Sequence, residues 1–244
     1  AAARRRANRP CLAAFALPAF MGTTLLYAVA HFTGFNPVLA MLPSAVPVGL
    51  TLLLGLAGTL LAFALFVCTA LIYACLRFLQ EWHTPLTVIN YVLLGGASGF
   101  VLATALSTLW APQVAGLLEG WAMILTALAF VGRVASLVRN ARLRPKSSLR
   151  TAIGVKHPRI VQKAQGAMGG SFNTREFFHG RTPAFLRRVK WIFLVLAFVL
   201  PLGLLAAGAA FAAFAVQYLG LLAERWFFFA QANHPQNLYY QTVS

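Results

Sequence analysis

Only four side chains in these 244 residues are carboxylates, Glu81, Glu119, Glu176 and Glu224, and there is no aspartate. A self-contained hydrolase or transferase is hard to build from that set, because acid–base chemistry draws on histidine and on paired carboxylates. The five histidines are His31, His83, His157, His179 and His234. A bis-histidine haem needs imidazoles facing each other across a helical bundle. Here His31 falls at one end of an apolar stretch and the other four at the opposite ends, so neither haem nor metal is expected. Cys11, Cys68 and Cys75 lie in or at apolar segments without metal-ligand spacing and read as buried thiols. The chain has no phosphate-binding glycine loop and no HExxH zinc motif. What remains within reach is hydrogen bonding and proton exchange by the polar groups at span ends: Trp82, His83, Arg133, Glu224 and Arg225.

These groups need an apolar scaffold, and the composition supplies one. Hydrophobic residues make up 60% of the chain and charged residues 10%, against about 25% charged in a soluble domain. No Lys, Arg, Asp or Glu lies between Arg9 and Arg77, or from Trp191 to Ala223. About 20 such residues of helix cross the hydrocarbon, so each run holds two crossings. The expected fold is an all-α integral membrane protein, a bundle of about six transmembrane helices with a basic cytoplasmic loop. Spans are expected near Cys11–His31, Val48–Leu76, Pro85–Leu109 and Val114–Val138. The block Arg187–Phe229 is too long for one crossing and splits into two at Ala206–Ala210. The chain thus divides into a four-span part (1–138), a basic loop (139–186) and a two-span part with its tail (187–244).

Cations set the orientation, because Lys and Arg in short loops favour the cytoplasm. With six spans, all 20 Lys and Arg fall on one side. The other side, made of 32–47, 110–113 and the turn near 208, has none. Both termini and the basic loop are therefore expected in the cytoplasm of a bacterial inner membrane. The first apolar segment is read as retained, since its removal as a signal peptide would put the tail on the side opposite the basic loop. A net charge of +16 suggests nucleic acid in a soluble protein. Here the cations border the spans and meet anionic lipid headgroups, so no nucleic-acid partner is expected.

The loop residues His157-Pro158-Arg159-Ile160 and Gln165 to Gly180, the latter containing GGSFNTREFFHG, are rich in glycine and turn-forming polar residues. Together with EWHTPLTV at 81–88, ERWFFFA at 224–230, and His234, Leu238, Tyr239 and Tyr240, this stretch resembles the membrane anchor subunits of the dimethyl sulfoxide reductase family of molybdenum oxidoreductases. Within that family it is most similar to the sulfite dehydrogenase anchors, whose catalytic subunits stay in the cytoplasm. The resemblance covers residues 14–244 and implies two further spans ahead of the first one here, supplied by a longer form of the anchor or by another chain.

In that family the anchor passes electrons between membrane quinone, ubiquinone or menaquinone, and a four-cluster iron–sulfur subunit, which serves a molybdopterin catalytic subunit. The resemblance implies both partners here. Quinone binding then falls to Trp82, His83, Arg133, Glu224 and Arg225, because polar groups near span ends are costly unless partnered or functional. Imidazole is the side chain suited to proton exchange near neutrality. A Trp-His pair at a membrane edge also serves as an interfacial anchor, and Glu224 with Arg225 also reads as a structural ion pair. Partner docking falls to His157, Arg159, Asn173, Arg175 and Glu176. Two alternatives stay open: the anchor of an S- or N-oxide reductase, and a cofactor-free structural subunit of a larger respiratory or photosynthetic complex. A transporter would place paired polar groups at mid-span, where only Asn90 and Gln217 stand. The topology is checked by reporters: insertion near Ser148 or fusion after Ser244 should report cytoplasm, and insertion near Pro43 the outside. Opposite locations for the two ends would refute six spans.

Overall fold

The computed structural model describes residues 9–41, 47–144, 148, 150, 151, 154, 157, 159, 160, 176, 177, 181–235 and 237, with side chains from Ala14 onward. These form two compact units, Ala1–Tyr73 and Ala74–Ser244. Six long helices are present among the described residues.

In the first unit, α1 (Arg9–Thr33) leads through a short hairpin, β1 (Val38–Met41) and β2 (Pro47–Gly49), into α2 (Leu50–Ala74). The strands are antiparallel, with Val38 opposite Gly49 and Met41 opposite Pro47. The sequence reads this stretch only as an external loop. What holds it is the start of α2, whose first amides have no intrahelical partner. Leu50 N donates to Pro37 O at 3.2 Å and Thr51 N to Asn36 Oδ1 at 3.0 Å. A Cβ at Gly49 would run into the Asn36 side chain, so this cap requires glycine there. Thr24 and Thr59 give their hydroxyls to the carbonyls of Phe20 and Gly55, which leaves the groove between α1 and α2 apolar.

The second unit contains α3 (Pro85–Trp110), α4 (Pro112–Ala141), α5 (Pro183–Ala206) and α6 (Ala210–Ala230). Thr84 caps α3, and Pro85 takes the first turn, where no N–H is needed. Helices α3 and α4 join through Ala111 alone and pack closely through small residues, among them Ala97, Ala105, Ala122 and Ala129. In lipid, such residues let helix backbones approach. Val101, Leu205 and Ala213 fill one apolar cluster, and Leu94, Phe193, Phe198 and Phe227 another. The faces turned outward are just as apolar: Leu117, Ile124, Leu128 and Val131 on α4, and Leu52, Leu56 and Phe63 on α2, are all exposed. Water would not tolerate faces of that extent, and a bilayer requires them. Five helices are long and apolar enough to cross it. The sixth, α6, has 21 residues, about 30 Å of helix, and carries Glu224 and Arg225 near its end.

The split of the last apolar block falls where the small residues stand. Gly208, at φ +73°, donates to Leu205 O at 2.8 Å, and Ala209 N donates to Leu204 O at 2.8 Å. This pair of bonds is the Schellman closure of a helix. Pro201 lies inside α5, and with no N–H it cannot serve the Ala197 carbonyl one turn back. The helix widens to π over Val195–Val199, with Leu200 N reaching Val195 O. Gln217 Nε2 of α6 then donates to Ala197 O at 3.3 Å. Gly220, one turn further along α6, lies against the backbone of Leu196 and Ala197 with no room for a Cβ.

Two thiols read as buried are not: Cys75 is exposed and Cys68 half-buried. Both sit at or near the end of α2, whose faces are turned largely outward. An apolar segment in a membrane protein need not bury its residues within protein, because lipid accepts them equally well.

Gly220→Ala should lower stability by about 1–3 kcal/mol, the usual range for overpacking. The check is the thermal midpoint of the detergent-solubilised protein, followed by circular dichroism. An unchanged midpoint would show that α5 and α6 can part without loss.

Candidate functional site

Four helix ends of the second unit meet at one place: the start of α3, the end of α4, the start of α5 and the end of α6. The connection Cys75–Thr84 is tied there by backbone turns, including Trp82 N and His83 N to Leu79 O at 3.2 and 3.0 Å, around a fully buried Leu79. Arg139, in the last turn of α4, donates from both terminal nitrogens to Gln80 O at 3.1 Å. From α6, Phe228 O accepts from Trp82 Nε1 at 3.1 Å, so the indole serves one of the carbonyls that a helix end leaves without a partner. Trp82 and Phe228 also stack at 4.9 Å between centroids, 4° from parallel.

Beneath this connection lies a charged network. Arg133 of α4 and Glu224 of α6 meet at 2.8 Å from Nε to Oε1, with side chains 4% and 1% exposed. The contact is ionic and lacks the alignment of a hydrogen bond. Arg225 takes the other carboxylate oxygen through Nη2 and Nε, both at 2.8 Å. Its guanidinium lies over Tyr91 at 4.3 Å and Phe228 at 4.8 Å. That of Arg133 lies over Phe193 at 5.5 Å and Phe227 at 5.9 Å. Aromatic faces help to compensate a desolvated guanidinium, which suits a site holding two such cations and one carboxylate. Close by, Asn90 Nδ2 donates to Ser136 Oγ at 2.7 Å. Asn90 Oδ1 occupies the space that a Cβ at position 132 would need, so the approach depends on Gly132.

Of the five residues expected to bind quinone, the fold gathers Arg133, Glu224 and Arg225, with Trp82 adjoining through Phe228. His83 stands apart. It is exposed, and its Nδ1 donates to the carbonyl of Ala74 at 2.6 Å. Of the docking residues, His157, Arg159 and Glu176 are exposed, and His157 Nδ1 accepts from Arg159 N at 3.1 Å. Asn173 and Arg175 lie outside the described residues. Asn90, Tyr91, Ser136 and Glu81 also line the cavity beside the network, and the sequence reading missed them in this role. A signal existed for Glu81, one of only four acidic residues and part of the EWHTPLTV motif. Burial raises its carboxyl above the ordinary glutamate range, offset in part by its own amide, that of Asn233 and the Arg139 cation. The cavity has a volume of about 10 Å³, room for a single water and not for a quinone ring.

An all-α bundle with outward apolar faces and a buried charged network at its basic end is a polytopic membrane protein with a polar site at one bilayer edge. Its sequence is 52% identical over 235 residues to a sulfite dehydrogenase subunit of Allochromatium vinosum, an alignment spanning 93% of this chain and 72% of that protein. The chain belongs to the family of that sulfite dehydrogenase subunit. No family model and no solved structure matches it.

Removing one member of the buried pair leaves the other charge uncompensated. Arg133→Met alone should therefore cost about 3–5 kcal/mol, whereas Arg133→Met with Glu224→Leu should recover most of that loss. The measurement is a double-mutant comparison of thermal stability in detergent. Additive losses would show that the contact does not couple α4 to α6.

Proposed function

We propose that this chain is the membrane anchor of a sulfite-oxidising complex, exchanging electrons between membrane quinone and an iron–sulfur subunit that serves a molybdopterin subunit. The observation that carries the reading is the Arg133–Glu224–Arg225 network, set at the basic end of a bundle whose family is that of a sulfite dehydrogenase subunit. The water-sized cavity implies that a quinone meets this network from outside. The group offered there is Arg225, whose side chain is 31% exposed and can donate to a quinone carbonyl. Exposed His83 is a second candidate donor. His157, Arg159, Asn173, Arg175 and Glu176 are proposed to dock the iron–sulfur subunit, with the basic side in the cytoplasm. The alternative is a structural subunit without quinone chemistry, favoured by how tightly the network is closed.

Purification of the intact complex from membranes should bring iron and molybdenum with this chain. Arg225→Gln and His83→Ala should each lower quinone-linked turnover about tenfold, the worth of one charge-assisted hydrogen bond. Turnover with a dye that takes electrons directly from the iron–sulfur subunit should hold. A complex without iron, or equal losses in both assays, would move the chain to the structural reading.

A further inference from the structure

Two of the four carboxylates in the chain, Glu81 and Glu224, line the same cavity, and their surroundings differ. Glu224 carries a guanidinium on each oxygen. Glu81 has Arg139 as its nearby cation and two backbone amides, while its Oε2 has no hydrogen-bond partner among the described residues. Other buried atoms of lining residues are without a hydrogen-bond partner too, among them Asn90 Oδ1, Arg133 Nη2 and Gln231 Nε2. Asn90 and Arg133 are only 5% and 3% exposed. Acceptors and donors are thus both at hand for one water molecule, and the cavity volume is that of one water. Buried polar atoms without partners are costly, so the arrangement calls for this guest.

We propose that the cavity holds one ordered water and that Glu81 is the group exchanging protons through it, the proton inlet of the site assigned above. This role rests on the functional reading just given. Glu81 as a residue is half-buried, and its Oε2 is a buried atom. In the transfer, protonated Glu81 gives its proton to the water as the water gives one of its own to the carbonyl oxygen of a quinone seated against the Arg225 side of the cavity mouth. Solvent then reprotonates Glu81, so one proton has moved inward and the water is restored. Glu224, in contact with a guanidinium through each oxygen, offsets part of the positive charge along the path. Groups facing Glu81 are Tyr91 from α3, Arg133 and Arg139 from α4, Glu224 and Arg225 from α6, and the Asn233 amide beyond α6.

The test uses the full chain in lipid vesicles free of other protein, where four glutamates and no aspartate make infrared spectra assignable. A protonated-carboxyl band, shifted by heavy water, should titrate above the ordinary glutamate range. It should vanish in Glu81→Gln and persist in Glu119→Gln and Glu176→Gln. Arg139→Gln, which removes the cation favouring the charged form, should move the midpoint up by about one unit, and it decides the matter if Glu81→Gln fails to assemble. A band that survives Glu81→Gln, or a midpoint indifferent to Arg139, overturns the proposal. In the intact complex, quinone-linked turnover should lose its pH dependence in Glu81→Gln while dye-linked turnover keeps its rate, and an unchanged profile overturns the relay. A complex with no quinone-linked turnover at all removes the functional reading, and the infrared arm then decides for Glu81 alone.

Discussion

The ionic contact between Arg133 and Glu224 is the constraint around which the second unit is arranged. Charges this deeply buried lose several kcal/mol each in hydration, and their mutual attraction repays this only with good geometry and further partners. The partners come from every helix of the unit. Tyr91 is from α3, Phe193 from α5, and Phe227, Phe228 and Arg225 from α6. A helix that shifted would expose a charge to lipid, so the network fixes the relative positions of all four. It also explains why the connection Cys75–Thr84 is so firmly tied down. Leu79 and Trp82 close the space above the network, and Trp82 and Arg139 use carbonyls on opposite sides of the seam as their anchors.

Much of this was legible in the sequence because the bilayer imposes simple rules. Span positions follow from the absence of charge. The turn at Gly208 follows from the excess length of the last block and its run of small residues. Pro85 marks a helix start because it needs no N–H. What was not legible depends on pairings between distant segments. The hairpin at 38–49 exists because Asn36 reaches the amides of α2, and a hydrogen bond fifteen residues long leaves no periodic trace. Gln217 stands out as a mid-span polar residue, but its partner is a carbonyl freed by Pro201 on another helix. The site was partly legible for the same reason: Arg133, Glu224 and Arg225 stand out against apolar sequence, whereas Asn90 and Gly132 acquire meaning only when α3 meets α4.

The polar residues of the second unit fall into layers with different tasks. Gln217, with Thr126 at 3.4 Å and the Ala197 carbonyl, forms a neutral layer that repairs the backbone where Pro201 interrupts it. One unmet acceptor there costs about 1–3 kcal/mol, which a packed helix pair can absorb. Two helical turns away, Arg133 and Glu224 form a charged layer whose cost without partners would exceed what packing recovers. Charge is therefore confined to the end of the bundle where four helix termini and a connecting segment supply hydrogen-bonding groups.

That confinement bears on where chemistry can occur. With two guanidiniums and one carboxylate, the core of the layer carries an excess positive charge, and the carboxylate of Glu81 on the same cavity is the group placed to answer it. Glu81 is less deeply buried than Glu224 and lacks its two ion pairs, having Arg139 and two backbone amides instead. Ionised, it balances the layer and loses hydration; protonated, it regains a neutral carboxyl and leaves the layer positive. Burial favours the neutral form, while Arg139 and two backbone amides favour the charged one. A group held between such opposed demands responds to charge arriving nearby more readily than the tightly paired centre of the network does.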